Sequence, residues 1–188
     1  MNSTWFTSDS HFGHANILEF EKEARPFKTL EEMHEVMIER WNSVVRDGDT
    51  VYHLGDFCFG RKNMEIALRL RGKKRLVLGN HDSYPSSDYL QYFDKLYGCA
   101  FWKMCILSHI PLHRNQLGSR AFLNVHGHLH SKKVKDSNWA DDCEACLSYY
   151  HNNPDIKEDR HYFNVSVEQN NLTPFHADQI LERLKEIS

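Results

Sequence analysis

Residues 125 to 130 read VHGHLH. On an extended segment alternate side chains project to the same side. His126, His128 and His130 are therefore spaced to face one point, and imidazole is the commonest protein metal ligand. Four other short segments carry groups of the same kind: Asp9-Ser10-His11, Gly55-Asp56, Gly79-Asn80-His81-Asp82 and Ser108-His109. Each has an ordinary explanation as a turn, a helix cap or a surface pair. Together they form a supply of carboxylate, imidazole and amide oxygen donors suited to holding a metal or a phosphate. The set contains no thiolate, which favours Mn²⁺, with Fe, Zn²⁺ or Ni²⁺ also compatible, over a sulfur-loving metal.

The elements that must carry these groups alternate. STWFTSD is a strand delivering the Asp9–His11 loop. From Thr29, Leu30, Met33, Met37, Trp41 and Val44 recur at helical spacing, and Thr29 with Glu32 makes a capping-box signature. TVYHLGD and KRLVLGNHD are apolar strands ending in polar tips, with NMEIALRL and SSDYLQYFDKLY predicted as the intervening helices. Beyond residue 98, CAFWKMCILSH, RAFLNVHGHLH and RHYFNVSVE read as strands, and the tail from about His176 reads as a helix. Strand–helix alternation predicts an α/β architecture. In such sheets ligands gather at the carboxyl ends of strands, so all five tips can converge.

Composition narrows the rest. A chain of 188 residues that is 40% hydrophobic and 12% aromatic fits a single folded domain. A net charge of -3 gives no basic field for non-specific nucleic-acid binding, so no stable nucleic-acid complex is expected and an anionic substrate must be held locally. The chain lacks a membrane-length apolar run and opens without a secretory pattern. Its five scattered cysteines suit reduced thiols better than a disulfide framework, and a cytoplasmic location is expected. Cys143 and Cys146 form a lone C-x-x-C in a polar stretch; with His151 or His161 the spacing matches no strong zinc pattern, and both are read as reduced thiols.

In this order, the series Asp-x-His, Gly-Asp, Gly-Asn-His-Asp, His and Gly-His-x-His resembles the calcineurin-like metallophosphoesterase superfamily, and SDSHFGHANI is similar to a small phosphodiesterase-like bacterial and phage branch. The resemblance spans residues 4 to 130 motif by motif. It implies a four-layer α/β/β/α sandwich with two divalent metals at the sheet edges. It further implies that Asp9, His11, Asp56 and His130 hold the first metal and that Asp56, Asn80, His109 and His128 hold the second, Asp56 bridging them. His126 is then a supporting residue, with Gly127 letting the backbone bend between the ligand histidines.

Such a site is built for phosphoester hydrolysis. Water between two divalent cations loses a proton near neutral pH, and hydroxide is the expected nucleophile. His81, next to the ligand Asn80, is the expected proton donor to the leaving oxygen, with Asp82 expected to orient it. His14, Asn16, Arg25, Arg61 and Arg114 are candidates for contacting substrate. Residues 131–161, leaving directly from His130, are expected to form an inserted loop or lid. The expected substrate is a small-molecule or nucleotide phosphodiester or monoester. A nuclease would need a basic track that this composition lacks, and a catalytically dead metal-binding scaffold would not need His81.

Overall fold

The computed structural model describes residues 2–136 and 157–187. Its first part runs β1 (Thr4–Thr7), α1 (Ile17–Phe20), α2 (Leu30–Val44), β2 (Thr50–His53), a 3-10 segment (Arg61–Arg69), β3 (Lys73–Val77), α3 (Ser86–Tyr89) and β4 (Lys95–Tyr97). There follow β5 (Ala100–Trp102), β6 (Cys105–Leu107), β7 (Leu123–His126), β8 (Tyr162–Asn164), β9 (Phe175–His176) and α4 (Ala177–Ile187).

Two sheets face each other. The first has the order β4-β3-β2-β1-β9, parallel except for β9, and the second has the order β5-β6-β7-β8, parallel from β6 to β8. Phe6, Leu54 and Val77 of the first sheet meet Leu107, Leu123 and Val125 of the second in a common core, which Ala177 and Ile180 of α4 join. A separate core lies under the helices of the first sheet. The result is the layered α/β sandwich of the metallophosphoesterase type. No helix among the described residues is long and apolar enough to cross a membrane.

α2 follows its sequence pattern closely. Thr29 Oγ1 accepts the Glu32 N–H at 3.1 Å, satisfying a donor that the first helical turn leaves open, and the Glu32 carboxylate reaches back past the cap to accept the Lys28 N–H at 3.0 Å. Met33, Met37, Ile38 and Trp41 are buried, at roughly 1.5–3 kcal/mol for an aliphatic side chain. Packing against the sheet thus holds this helix in place.

Three predicted elements differ. NMEIALRL lies in a 3-10 segment in which Met64 and Ala67, followed by Leu70, are buried at a spacing of three, the repeat of a 3-10 turn rather than the 3.6 of an α-helix. SSDYLQYFDKLY is helical only over Ser86–Tyr89, because Asp94 N–H bonds Lys74 O at 2.8 Å and Lys95–Tyr97 then pairs with β3. CAFWKMCILSH is two antiparallel strands rather than one, with Trp102 opposite Cys105 and Lys103 turning the chain at φ +53°.

The ends of the 131–161 segment run side by side. Asp136 N–H donates to Lys157 O at 2.7 Å and Asp159 N–H to Val134 O at 2.9 Å. Cys143, Cys146 and His151 lie outside the described residues, while His161 is held by Asp159 at 3.1 Å.

Candidate metal centre

Parallel pairing brings the carboxyl ends of β1, β2 and β3 to one edge of the first sheet, and those of β6 and β7 to the facing edge of the second. Asp9 and His11 follow β1, Asp56 follows β2, Asn80 follows β3, His109 follows β6, and His128 and His130 follow β7. Five of these seven residues have a left-handed backbone: Asp9 at φ +59°, His11 at +50°, Asp56 at +55°, His128 at +69° and His130 at +51°. Non-glycine residues rarely adopt this conformation, and it concentrates where surrounding structure holds a side chain for function.

The donor atoms converge. Asp9 Oδ1 lies 3.8 Å from His11 Nε2 and 3.9 Å from His130 Nε2, while Asp56 Oδ2 lies 3.7 Å from His11 Nε2 and 3.4 Å from His109 Nε2. Potential ligand atoms of Asp9, His11 and His130, and separately of Asp9, Asp56 and His109, fall within 4.8 Å of one another. Most of these separations are too long for hydrogen bonds. They approach the spacing of about 3–3.5 Å between donors that share a cation at about 2.1 Å. Asp9 Oδ1 and both ring nitrogens of His11 are buried without a hydrogen-bond partner, a costly state that a cation relieves.

Tautomers agree with that fit. His109 Nδ1 faces the Leu54 carbonyl at 2.7 Å and His130 Nδ1 the Glu168 carboxylate at 3.0 Å. Because both partners are acceptors, each Nδ1 carries the proton and each Nε2 is left to act as a ligand. His109 Nε2 also meets Asn80 Oδ1 at 2.9 Å. Burial opposes the charge on Asp9, yet His11, His109 and His130 hold its carboxyl far below the usual range. Burial likewise opposes the charge on His109 and His130, but Asp56 for the first and Glu168 for the second turn the net shift upward.

The His128 ring lies 5.1 Å from that of His109 but is in neither donor group; its backbone N–H donates to Asp9 Oδ2 at 2.9 Å, and Ser166 Oγ donates to the same oxygen at 2.8 Å. That leaves Asp9 Oδ1 as the oxygen facing the histidine nitrogens. His126 is fully buried, its Nδ1–H donating to Gly127 O at 2.8 Å and its ring 6.0 Å from Tyr162, and burial pushes its pKa down to about 4. It supports the loop, as its position before the turn predicts. Gly127 serves differently from the expectation. The left-handed bends fall on His128 and His130, whereas a Cβ on Gly127 would collide with Ser8 Oγ and come 2.5 Å from Asp9 Oδ2. Gly127→Ala is therefore expected to displace Asp9 and weaken metal binding by roughly 10-fold or more, the scale seen when a ligand loses its support; calorimetric titration with Mn²⁺ measures this.

Two expectations are corrected by the geometry. Asp82 does not orient His81. Its carboxylate accepts the N–H groups of Asp56 at 2.7 Å, Gly79 at 2.8 Å and Phe57 at 3.2 Å, so it locks the Asp56 turn, with burial raising its pKa. Arg25 does not reach substrate. Its guanidinium is fully buried behind the ligand loop, on Glu168, Asp9 O and Ser10 O.

Of the other candidates, His81 and His14 lie beside the ligand His11. His81 is exposed, with its N–H on Asp56 Oδ1 at 2.9 Å and its ring 4.9 Å from Phe59 and 5.9 Å from His11. His14 stacks on Phe59 at 4.1 Å and lies 5.5 Å from His11, with burial lowering its pKa. Asn16 is exposed at the start of α1. Arg61 and Arg114 are taken up in ion pairs with Asp88 and Asp159. Sequence reasoning passed over Ser166 and Glu168, although VSVE ends a strand in an acidic group as the recognised tips do.

Fold and site define a metallophosphoesterase. The family model for calcineurin-like phosphoesterases matches residues 3–182, and the chain belongs to that family, whose members are metal-dependent phosphoester hydrolases. An uncharacterised protein of Methanocaldococcus jannaschii is 31% identical over 189 residues, covering 98% of this chain and 93% of its own. The Gene 66 protein of Mycobacterium phage D29 is 28% identical over 170 residues, covering 73% of this chain and 83% of its own. The crystal structure of a protein of unknown function from Aquifex aeolicus matches with a TM-score of 0.65 at 29% identity, covering 97% of this chain and 99% of that one.

Proposed function

We propose that the protein is a dinuclear-metal phosphoester hydrolase acting on a small-molecule or nucleotide phosphodiester or monoester. Asp9, His11, Asp56 and His130 are assigned to the first metal, and Asp56, Asn80, His109 and His128 to the second. The observation that carries the reading is Asp56 Oδ2. One carboxylate oxygen lies 3.7 Å from His11 Nε2 and 3.4 Å from His109 Nε2, rings that fall in two different donor groups which themselves share Asp9. Two divalent cations held by these residues would supply a hydroxide near neutral pH and offset charge on the phosphoryl oxygens.

The chain's own residues do the rest. Asp82 holds the Asp56 turn through three backbone N–H groups, and Asp56 Oδ1 in turn accepts the His81 N–H. His81 is thereby held beside the ligands with its ring free of the donor set, and it is assigned to protonate the departing oxygen. His14, beside His11, and Asn16 remain candidates for substrate contact. Mn²⁺ is the proposed metal on the grounds of a mixed nitrogen and oxygen donor set. The proposed location is the cytoplasm, where the free thiols of Cys58, Cys99 and Cys105 are stable.

The test is hydrolysis of bis-p-nitrophenyl phosphate by chelator-treated protein. Activity is expected at background without metal and restored by Mn²⁺. Full activity after exhaustive metal removal would refute the reading. A panel of nucleotides, cyclic nucleotides and short oligonucleotides then separates small-ester hydrolysis from nuclease activity.

A further inference from the structure

Glu168 belongs to none of the ligand motifs, yet it touches one ligand and, through Arg25, the backbone of a second. It sits in the 3-10 turn Val167–Asn170 after β8, where the Val167 N–H donates to Ser8 O at 3.1 Å and fastens the turn to the loop that carries Asp9. Its Oε1 accepts three donors: Arg25 Nε at 2.8 Å, Arg25 Nη2 at 2.5 Å and His130 Nδ1 at 3.0 Å. The side chains of Arg25 and Glu168 are 0% and 1% exposed. A buried ion pair generally stabilises a fold no better than apolar side chains of the same size, so stability alone is a weak account of this one.

What the pair grips is specific. Arg25 Nη2 also donates to Asp9 O at 2.6 Å, and Nη1 donates to Ser10 O at 3.1 Å. These carbonyls lie between Asp9 and His11, both held in left-handed conformations. On its other side, Glu168 accepts the His130 Nδ1 proton, so that Nε2 presents its lone pair 3.9 Å from Asp9 Oδ1. A carboxylate in that position fixes the ring, dictates the tautomer and makes the imidazole a stronger ligand. The second site is supported otherwise, since the His109 Nδ1 partner is the neutral carbonyl of Leu54.

We propose that Glu168, clamped by Arg25, is the positioning residue of the first metal site: it aims His130 and, with Arg25, holds Asp9 and His11 in place. The inference rests on the metal reading above. Its test is metal binding by the full chain, not hydrolysis.

Mn²⁺ titration of metal-free wild type, followed by the loss of the free-ion paramagnetic resonance signal, is expected to show two binding events. Glu168→Gln keeps the shape and removes the charge. It should weaken one event by 10- to 100-fold and leave the other unchanged, and the weakened event should be the one that His130→Ala abolishes. In the Zn²⁺-loaded protein, the slowly exchanging Nδ1–H resonance of His130 should be lost or shifted in the same variant. The double variant Arg25→Met with Glu168→Met removes both charges and leaves no buried ion unpaired. If the pair were merely structural, this variant would recover wild-type affinity; the proposal requires that it stay weak. Wild-type affinity in Glu168→Gln, or recovery in the double variant, overturns the inference while leaving the functional reading intact. Wild type that binds no metal overturns both.

Discussion

Asp56→Asn lowers kcat by roughly 10³-fold and reduces the bound metal from two ions to at most one: this is the expected result of removing the shared carboxylate. The argument starts from its two oxygens. Oδ1 accepts the His81 N–H at 2.9 Å, a bond that an asparagine carbonyl can reproduce. Oδ2 points between His11 Nε2 and His109 Nε2, and an amide NH₂ there presents hydrogens to those nitrogens where the native oxygen presents a lone pair. The amide also lacks the negative charge that two cations would share. Fold is retained, because the turn is held by Asp82 through backbone N–H groups that the substitution leaves in place. Loss of one cation removes several kcal/mol of transition-state charge stabilisation, and about 4 kcal/mol corresponds to roughly 10³ in rate. Elemental analysis of the purified variant, alongside its kcat on bis-p-nitrophenyl phosphate, checks both parts. A variant with two metals and near-normal kcat would mean that the bridge lies elsewhere.

That Asp56 can be named from sequence as a site candidate follows from where it stands, whereas its bridging role is what the family resemblance implies. Asp9, Asp56, Asn80, His109 and His130 each come directly after a short apolar strand, and a parallel sheet sends every such position to the same edge. The residues that hold the ligands are not legible in this way. Ser166 and Glu168 reach the site only because β8 pairs with β7 and Ser8 bridges Ser166, long-range relations that leave no local pattern. Asp82 misleads because adjacency in sequence to His81 is not adjacency in space: its carboxylate turns inward to three backbone donors. Arg25 misleads because a guanidinium in the charged stretch EKEARPF is expected to be open to substrate, while it is buried. For the elements, a spacing of three in Met64, Ala67 and Leu70 is close enough to 3.6 that the 3-10 segment passes for an α-helix. Pairing of Lys95–Tyr97 with β3 overrides the local helical pattern of the residues before it.

His81→Ala separates chemistry from support more sharply than any ligand change, because the ring stands outside the donor set. Its backbone N–H serves Asp56, and alanine keeps that bond. Both metals are therefore expected to remain bound with unchanged affinity. The ring itself is exposed beside Phe59 and His11, on the rim where a departing oxygen needs a proton. Nitrophenolate is stable as an anion and leaves without one, so nitrophenyl esters should lose little. An alkoxide or nucleoside oxygen is far more basic, and its esters should lose roughly 10² to 10⁴ in rate, the range of general acid–base catalysis. The difference between the two substrates is the decisive quantity, since it cancels any common loss of phosphate positioning. Equal losses on both at full metal occupancy would assign His81 to holding the phosphate. Loss of a metal would instead make the imidazole a support for Asn80 or a ligand in its own right.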